Sequence, residues 1–127
     1  MEYTEEHAKA GVDTQLPSIE CWANQFPDYD IRISNSEYTS MCPKTGLPDF
    51  GTINIRYTPD DFIIELKSLK YYLLQFRNVG MFYEHVSNRI LEDLVQVLKP
   101  KWMEVTGEFT ARGGLTTNVR TRYEAVS

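Results

Sequence analysis

The sequence predicts an α+β fold, in which an antiparallel sheet carries two helices on one face. Apolar residues alternate with period two towards both ends of the chain, and they change to helical spacing in the middle. The resulting order is strand, strand, helix, helix, strand, strand, with a further strand near Tyr29 before it. Strands and helices that are segregated along the chain in this way are typical of α+β proteins.

Length and composition fit one globular domain. The chain has 127 residues, of which 42% are hydrophobic and 24% charged. The net charge of −5 argues against a protein that binds nucleic acid through its phosphates. No apolar stretch approaches the roughly 20 residues of a membrane-spanning helix, and the acidic start lacks the features of a secretory signal. We therefore expect a cytoplasmic protein that binds neither membranes nor nucleic acid directly.

Residues 1–19 predict an N-terminal arm, which precedes a single domain over residues 20–127. The arm is polar, contains Gly11 and Pro17 and shows no sustained period. We expect it to be ordered only by an outside surface, such as a neighbouring subunit.

Half-buried strands are predicted in the first half of the chain. Thr58–Asp61 contains a proline and two aspartates, and predicts a hairpin turn between the second and third of these strands. The apolar residues that define the strands are Ile31 and Ile33, then Ile53, Ile55 and Tyr57, then Phe62, Ile64 and Leu66.

Two amphipathic helices follow, separated near residues 78–80 and closed by Lys99 and Pro100. Two further strands, joined by a turn at Gly113 and Gly114, complete the chain. The outer strands of such a sheet are unpaired, so we expect closed oligomerisation. The helical positions are Leu69, Tyr72, Leu73 and Phe76, then Val86, Ile90, Leu94, Val97 and Leu98.

The segment Ser40–Phe50 has two prolines and a glycine and is predicted to be a loop, which contains Cys42 and Asp49. One interpretation is a nucleophilic cysteine whose proton Asp49 accepts and later returns to a substrate nitrogen, while Lys44 favours the thiolate. The alternative is a buried, inert cysteine and a turn-forming aspartate. The chain has two cysteines, which excludes a disulfide framework but not a Cys21–Cys42 pair. Their spacing and that of the two histidines match no zinc site, so we expect no metal.

Three further positions have both a plain and a functional interpretation. Lys67 and Lys70 flank a helix start at which Ser68 is the predicted N-cap; they either bind a phosphate or are simply solvated. Glu84, in the first turn of the second helix, complements the helix dipole or binds a purine-like edge. Arg112, at a hairpin tip, serves the turn or reaches a phosphate.

Taken together, five segments resemble the QueF family, the NADPH-dependent 7-cyano-7-deazaguanine reductases, or nitrile reductases, of queuosine biosynthesis in tRNA modification. The resemblance extends from residue 20 to the end, and the short length resembles the family's unimodular branch. The Glu65–Lys70 run is the family's characteristic motif. The matching segments are Cys42–Phe50, Glu65–Lys70, Phe76–Asn78, Glu84 and Phe109–Gly114.

The resemblance implies the tunnelling fold, or T-fold, shared with GTP cyclohydrolase I, in which subunits join sheets edge to edge into a barrel. For a unimodular member it implies a homo-oligomer of two stacked pentamers, with sites between subunits. It also implies reduction of the nitrile of 7-cyano-7-deazaguanine to a primary amine by two NADPH. The alternative is a T-fold enzyme that binds a purine or pterin and is related to GTP cyclohydrolase I.

The resemblance also implies residue roles. Cys42 would form a covalent thioimide and Asp49 would supply the proton. Tyr83 stands where histidine is common in the family. The other implied sites are Glu84, Tyr83, Glu65 and Ser68 for the substrate, and Lys67, Ser68, Lys70 and Arg112 for NADPH.

Overall fold

The structure, a computed structural model, describes residues 2–126; Met1 of the predicted arm and Ser127 of the predicted domain lie outside the described residues. Within this range the chain forms two antiparallel sheets and three α-helices, which confirms the predicted α+β class. The helices are α1 (Glu5–Ala8), α2 (Leu66–Leu74), which is followed by a 3₁₀ turn over Gln75–Asn78, and α3 (Tyr83–Leu98). The strands are β1 (Cys21–Ala23), β2 (Ile31–Met41), β3 (Pro48–Thr58), β4 (Phe62–Ile64), β5 (Trp102–Arg112) and β6 (Leu115–Glu124).

The main sheet has the strand order β2-β3-β5-β6, and its core face is formed by alternate residues. Ile53 and Ile55 of β3 are buried there beside Met103 and Val105 of β5. α3 packs against β5 and β6, and the 3₁₀ turn packs against β2, so that the helices cover one face as predicted.

α3 is amphipathic because its apolar residues recur every four positions. Val86, Ile90, Leu94 and Leu98 are all fully buried. The helix ends where Lys99 takes a left-handed conformation with φ of 46°, just before a proline, as the sequence predicts. No helix within residues 2–126 is both long enough and apolar enough to cross a membrane.

A β-bulge in β2 reverses which of its residues face the core. Between Asn35 and Tyr38, three residue steps on β2 oppose two on β3. Before the bulge, odd-numbered residues such as Ile33 face the core; after it, the even-numbered Tyr38 and Ser40 are buried. The last part of β2 therefore presents a different set of side chains from the one that the initial alternation indicates.

The predicted hairpin turn at Thr58–Asp61 is wrong, because β4 does not pair with β3. β4 pairs instead with β1 in a separate two-stranded sheet. The hydroxyl of Tyr57 accepts the N–H of Ile64 at 3.0 Å, and the side chain of Asn24 donates to the carbonyl of Asp60 at 2.8 Å. The first contact is local, and the second comes from a residue 36 positions earlier; together they direct the chain away from the main sheet.

The N-cap of α2 is Glu65, and the prediction of Ser68 at that position is wrong. The Glu65 carboxylate accepts the N–H of Ser68 at 2.6 Å and that of Lys67 at 3.0 Å. Both hydrogen bonds, led by that of Ser68, lower the pKa of Glu65. A charged group with two oxygens thus satisfies two of the free N–H groups at the helix start.

The predicted N-terminal arm is ordered against its own chain, and not only by a neighbouring subunit as expected. Arg89 of α3 donates to the carbonyl of Val12 at 2.9 Å and to that of Gly11 at 3.3 Å. Asp93 accepts from the Nε of Arg89 at 2.8 Å and so orients the guanidinium. Arg89, which is held by Asp93 four residues further along the same helix, therefore binds the arm to its own chain.

Gly107 lies where α3 comes closest to β5, and this contact is testable. A Cβ at this position would lie 2.7 Å from Cζ of Phe109 and 2.8 Å from Oγ of Ser87. Gly107→Ala should therefore lower the free energy of unfolding by about 1–3 kcal/mol, as measured by chemical denaturation. The exposed neighbour Glu108 gives the control, since Glu108→Ala should change it by less than about 0.5 kcal/mol. An unaltered Gly107→Ala protein would contradict the close packing.

Candidate active site

Cys42 begins a tight loop between β2 and β3. Its N–H donates to the carbonyl of Leu47 at 2.9 Å, and its own carbonyl accepts the N–H of Gly46 at 2.8 Å. The loop is shorter than predicted: β2 continues to Met41, so that Asp49 lies on β3 rather than in the loop. Its orientation is therefore set by the sheet.

A main-chain bridge brings the start of α3 to this loop. The N–H of Met41 donates to the carbonyl of Val79 at 3.2 Å, and the N–H of Met81 donates to the carbonyl of Met41 at 3.1 Å. Because Cys42 follows Met41 directly and α3 begins just after Met81, the cysteine faces the first turn of the helix.

The bridge creates a small open pocket of about 130 Å³, which gathers most of the predicted site. The sequence analysis missed the role of Phe82; its only signal was the position beside Tyr83 and Glu84. The residues that line the pocket are Cys42, Asp49, Phe82, Tyr83, Glu84 and Arg112.

The Cys42 thiol is half-buried, and both Cys42 and Cys21 are free. Burial raises the pKa of Cys42, and the charge of Asp49 also raises it. Hydrogen bonds from the Thr45 hydroxyl and from the N–H groups of Thr45 and Lys44 lower the pKa, and their combined effect is the larger one. The net pKa therefore lies below its ordinary value. Since the thiolate is the nucleophilic form, the loop favours a reactive cysteine over an inert one.

Asp49 is 5% exposed and is held by two side chains. Its Oδ1 accepts from the Tyr83 hydroxyl at 3.1 Å and from the Arg112 guanidinium, which is half exposed. The carboxylate thus faces the pocket with one oxygen fixed. Arg112, for which a phosphate was the expected partner, is paired with Asp49 and its pKa is raised by that charge.

Tyr83 is a neutral donor in this arrangement. Burial raises its pKa, and the charge of Asp49 raises it further. Its ring stacks on Phe109 with the centroids 4.0 Å apart and the planes 9° from parallel. Tyr83 is therefore a phenol that binds the aspartate without titrating near neutral pH.

Glu84 lies in the first turn of α3, as predicted, and is exposed at the rim of the pocket. A carboxylate at a helix start is favoured by the dipole whatever else it does. Its place beside Cys42 and Tyr83 is what makes it a candidate for binding a ligand.

The Glu65–Lys70 motif lies outside this pocket. Lys70 lines a separate groove of about 400 Å³ between β2 and α2, together with Arg77, to which the sequence analysis assigned no role. The Ser68 hydroxyl donates to the carbonyl of Glu65 at 2.9 Å and accepts the N–H of Glu20 at 2.9 Å. Glu65, Lys67 and Ser68 are not among the residues that line the pocket of Cys42 and Asp49.

The lowered pKa of Cys42 predicts its reactivity. Alkylation of Cys42 by iodoacetamide, followed by peptide mass spectrometry, should rise with pH to a midpoint below that of an unperturbed cysteine. Thr45→Ala should raise this midpoint, because a hydrogen bond to the thiolate is lost. Thr45→Ser keeps the hydroxyl and should retain the low value. Equal midpoints for wild type and Thr45→Ala would show that the loop does not tune the thiol.

Known proteins resemble this chain over nearly all of its length. A chain from Elusimicrobium minutum is 56% identical over 123 residues, covering 96% of this chain and 93% of the relative. One from Chloroherpeton thalassium is 59% identical over 109 residues, covering 84% and 94% respectively. Both relatives are named NADPH-dependent 7-cyano-7-deazaguanine reductase.

A solved structure supports the fold. The apo crystal structure of the archaeosine synthase QueF-Like superposes with a TM-score of 0.70 at 18% identity, covering 77% of this chain and 96% of the other. The family model described as QueF-like protein matches residues 48–127. On these similarities and the motifs above, the chain belongs to the QueF-like family.

Proposed function

We propose that this protein reduces the nitrile of 7-cyano-7-deazaguanine to an aminomethyl group with NADPH, as a step in queuosine biosynthesis. The observation that supports this most is the shared pocket, in which a thiol of lowered pKa lies beside an almost fully buried aspartate. The relatives named above carry the same activity in their names.

The first step is the addition of Cys42 to the substrate. The thiolate forms a bond to the nitrile carbon, while Asp49 takes the thiol proton and delivers it to the nitrile nitrogen. The product is a covalent thioimide, with no net gain or loss of protons. A neutral nitrile is a poor hydride acceptor and a protonated thioimide is a good one, which is the reason for the covalent step.

The remaining steps require that the Cys42 sulfur leaves the substrate carbon and that the pocket excludes water. NADPH, when bound, supplies two hydrides in succession. Cys42 departs as a thiolate after the first reduction, and the imine that remains must be kept from hydrolysis until the second. Phe82 and Tyr83 line the pocket with aromatic surface and are suited to that task.

Glu84 is proposed to bind the substrate ring. An exposed carboxylate at the rim of the pocket accepts the two hydrogen bonds that the amide and amino edge of a deazaguanine offers. Hydrogen bonds to a charged group contribute roughly 1.5–3 kcal/mol each. Tyr83, beside it, fixes Asp49 and contributes a ring face.

The groove between β2 and α2 suits the phosphates of NADPH. Lys70 and Arg77 line it, and neither takes part in an ion pair within residues 2–126. Lys67 lies one turn away at the start of α2. A Ser68 contact would require its hydroxyl to leave the hydrogen bonds described above, and an Arg112 contact would require it to leave Asp49, so the lysines are the stronger candidates.

We also propose that residues 20–127 form a T-fold domain that assembles into two stacked pentamers. The outer strands, β2 and β6, each have one unpaired edge within the described chain. Edge-to-edge pairing between subunits would satisfy these edges. Sedimentation velocity tests this, and a monomer at working concentration would overturn it.

Turnover and adduct formation test the proposed chemistry. Wild type should oxidise NADPH only when 7-cyano-7-deazaguanine is present, and substrate alone should add its mass to the intact chain. Cys42→Ala should lose both, because the thioimide cannot form. Asp49→Asn should lower turnover by about 10²–10⁴-fold through loss of proton transfer.

Cys21→Ala is the matched control, since Cys21 lies on β1, outside the pocket. It should retain both the adduct and turnover. An adduct that persists in Cys42→Ala, or wild type that oxidises no NADPH with the substrate, would refute the proposal.

A further inference from the structure

Two buried hydroxyls next to Asp49 have no hydrogen-bond partner. Ser40 is 0% exposed and Tyr38 is 1% exposed. Within residues 2–126, neither Oγ of Ser40 nor Oη of Tyr38 finds a donor or acceptor. An unsatisfied buried polar group costs free energy, and native proteins contain few of them. Two such groups at one place need an explanation.

Both hydroxyls lie on the face of the sheet that carries Asp49. Ser40 is the antiparallel partner of Asp49 in the register between β2 and β3, so that the two side chains are immediate neighbours. Tyr38 lies two residues earlier on the same face, opposite Gly51, which has no side chain.

Aromatic packing connects Tyr38 to the far side of the aspartate. The Tyr38 ring lies 6.2 Å from that of Phe109, and Phe109 stacks on Tyr83, which donates to Asp49. Burial raises the pKa of Tyr38, the nearby Ser40 hydroxyl lowers it although the two groups do not meet in hydrogen-bond geometry, and the Asp49 charge raises it. The Tyr38 phenol is therefore neutral and available as a donor.

The two oxygens of Asp49 are not equivalent. Tyr83 and Arg112 both donate to Oδ1. Among the described residues no side chain donates to Oδ2. A carboxylate that must take up and release a proton needs an orientation in which its second oxygen is also controlled, and Ser40 is the neighbouring donor on the strand.

We propose that Ser40 is a positioning residue for Asp49: its hydroxyl, with that of Tyr38 behind it, is the neighbouring donor available to the second carboxylate oxygen, and it constrains that oxygen when Asp49 exchanges a proton with the thiol and the substrate. The inference rests on the proposed function and adds two residues to the same site. It also explains why the two unsatisfied hydroxyls lie beside the aspartate.

The pH dependence of this site involves groups from each element that packs around Asp49. β2 places the two hydroxyls on one side of the carboxylate, and neither donates to it in the described chain. The titratable and charged groups that face it are Cys42 from the loop, Tyr38 from β2, Tyr83 and Glu84 from α3, and Arg112 from β5.

The test uses Ser40→Ala and Tyr38→Phe, each of which removes a single oxygen. In both, the thermal midpoint should stay the same or rise, because an unsatisfied group is lost. KM should be unchanged, while the pH profile of kcat and the pH profile of Cys42 alkylation should each shift by about 0.5–1 unit. Ser40→Thr keeps the hydroxyl and should restore the wild-type profiles.

Ser87→Ala is the matched control. Ser87 is also 0% exposed, but its Oγ donates to the carbonyl of Val119 at 3.1 Å, outside the pocket. Its loss should lower the thermal midpoint and leave both pH profiles unchanged, the reverse of the pattern expected for Ser40.

Profiles that superimpose on wild type in both Ser40→Ala and Tyr38→Phe would overturn the inference and leave the hydroxyls as packing defects. If Ser40→Ala does not fold, Tyr38→Phe decides alone, because it retains the ring. Wild type that oxidises no NADPH with the substrate would refute the proposed function instead. Cys42 alkylation needs no substrate, so it would still decide the role of Ser40.

Discussion

The candidate site depends on the main-chain bridge between Met41 and the segment that leads into α3. Two hydrogen bonds, of 3.1 and 3.2 Å, join the end of β2 to Val79 and Met81. One side of this bridge continues into Cys42 and the other into the first turn of α3. This bridge therefore places Cys42 and Glu84 on opposite sides of one pocket.

Asp49 remains in place because aromatic packing and charge act on it together. The Phe109 ring stacks on one face of the Tyr83 ring, and the Tyr83 hydroxyl donates to the Asp49 carboxylate. Arg112 supplies the opposite charge but stays half exposed, so that water still reaches it. A nearly buried carboxylate next to a partly solvated cation avoids most of the desolvation cost of a fully buried ion pair and keeps the cation free to move.

Local sequence patterns predict the parts of this molecule that are built locally. The spacing of Val86, Ile90 and Leu94 specifies α3, and Lys99 followed by proline ends it. The pairing of β4 with β1 is different in kind, because it depends on contacts with Asn24, which alternation within the strand does not reveal. The choice of Glu65 over Ser68 as the N-cap similarly depends on which side chain reaches more N–H groups.

The candidate site residues also divide into those that the local sequence predicts and those that depend on contacts between distant parts of the chain. Cys42, Asp49 and Glu84 are candidates from the sequence because they lie in the segments that resemble the family, but those segments do not reveal the contact that brings Arg112 to Asp49 across 63 residues of sequence. Phe82 and Ser40 have no sequence signal of their own, since an aromatic residue and a serine are ordinary at such positions. Their roles follow only from three-dimensional neighbours.

The bulge in β2 is what places Ser40 beside Asp49. The strand begins with odd-numbered residues such as Ile33 on the core face, and continued alternation would leave Ser40 exposed. The extra residue between Asn35 and Tyr38 reverses that order just before the nucleophile loop. A shift of one residue in a strand moves every following side chain to the other face. The bulge therefore directs the last residues of an edge strand towards Asp49, at the strand end that leads into Cys42.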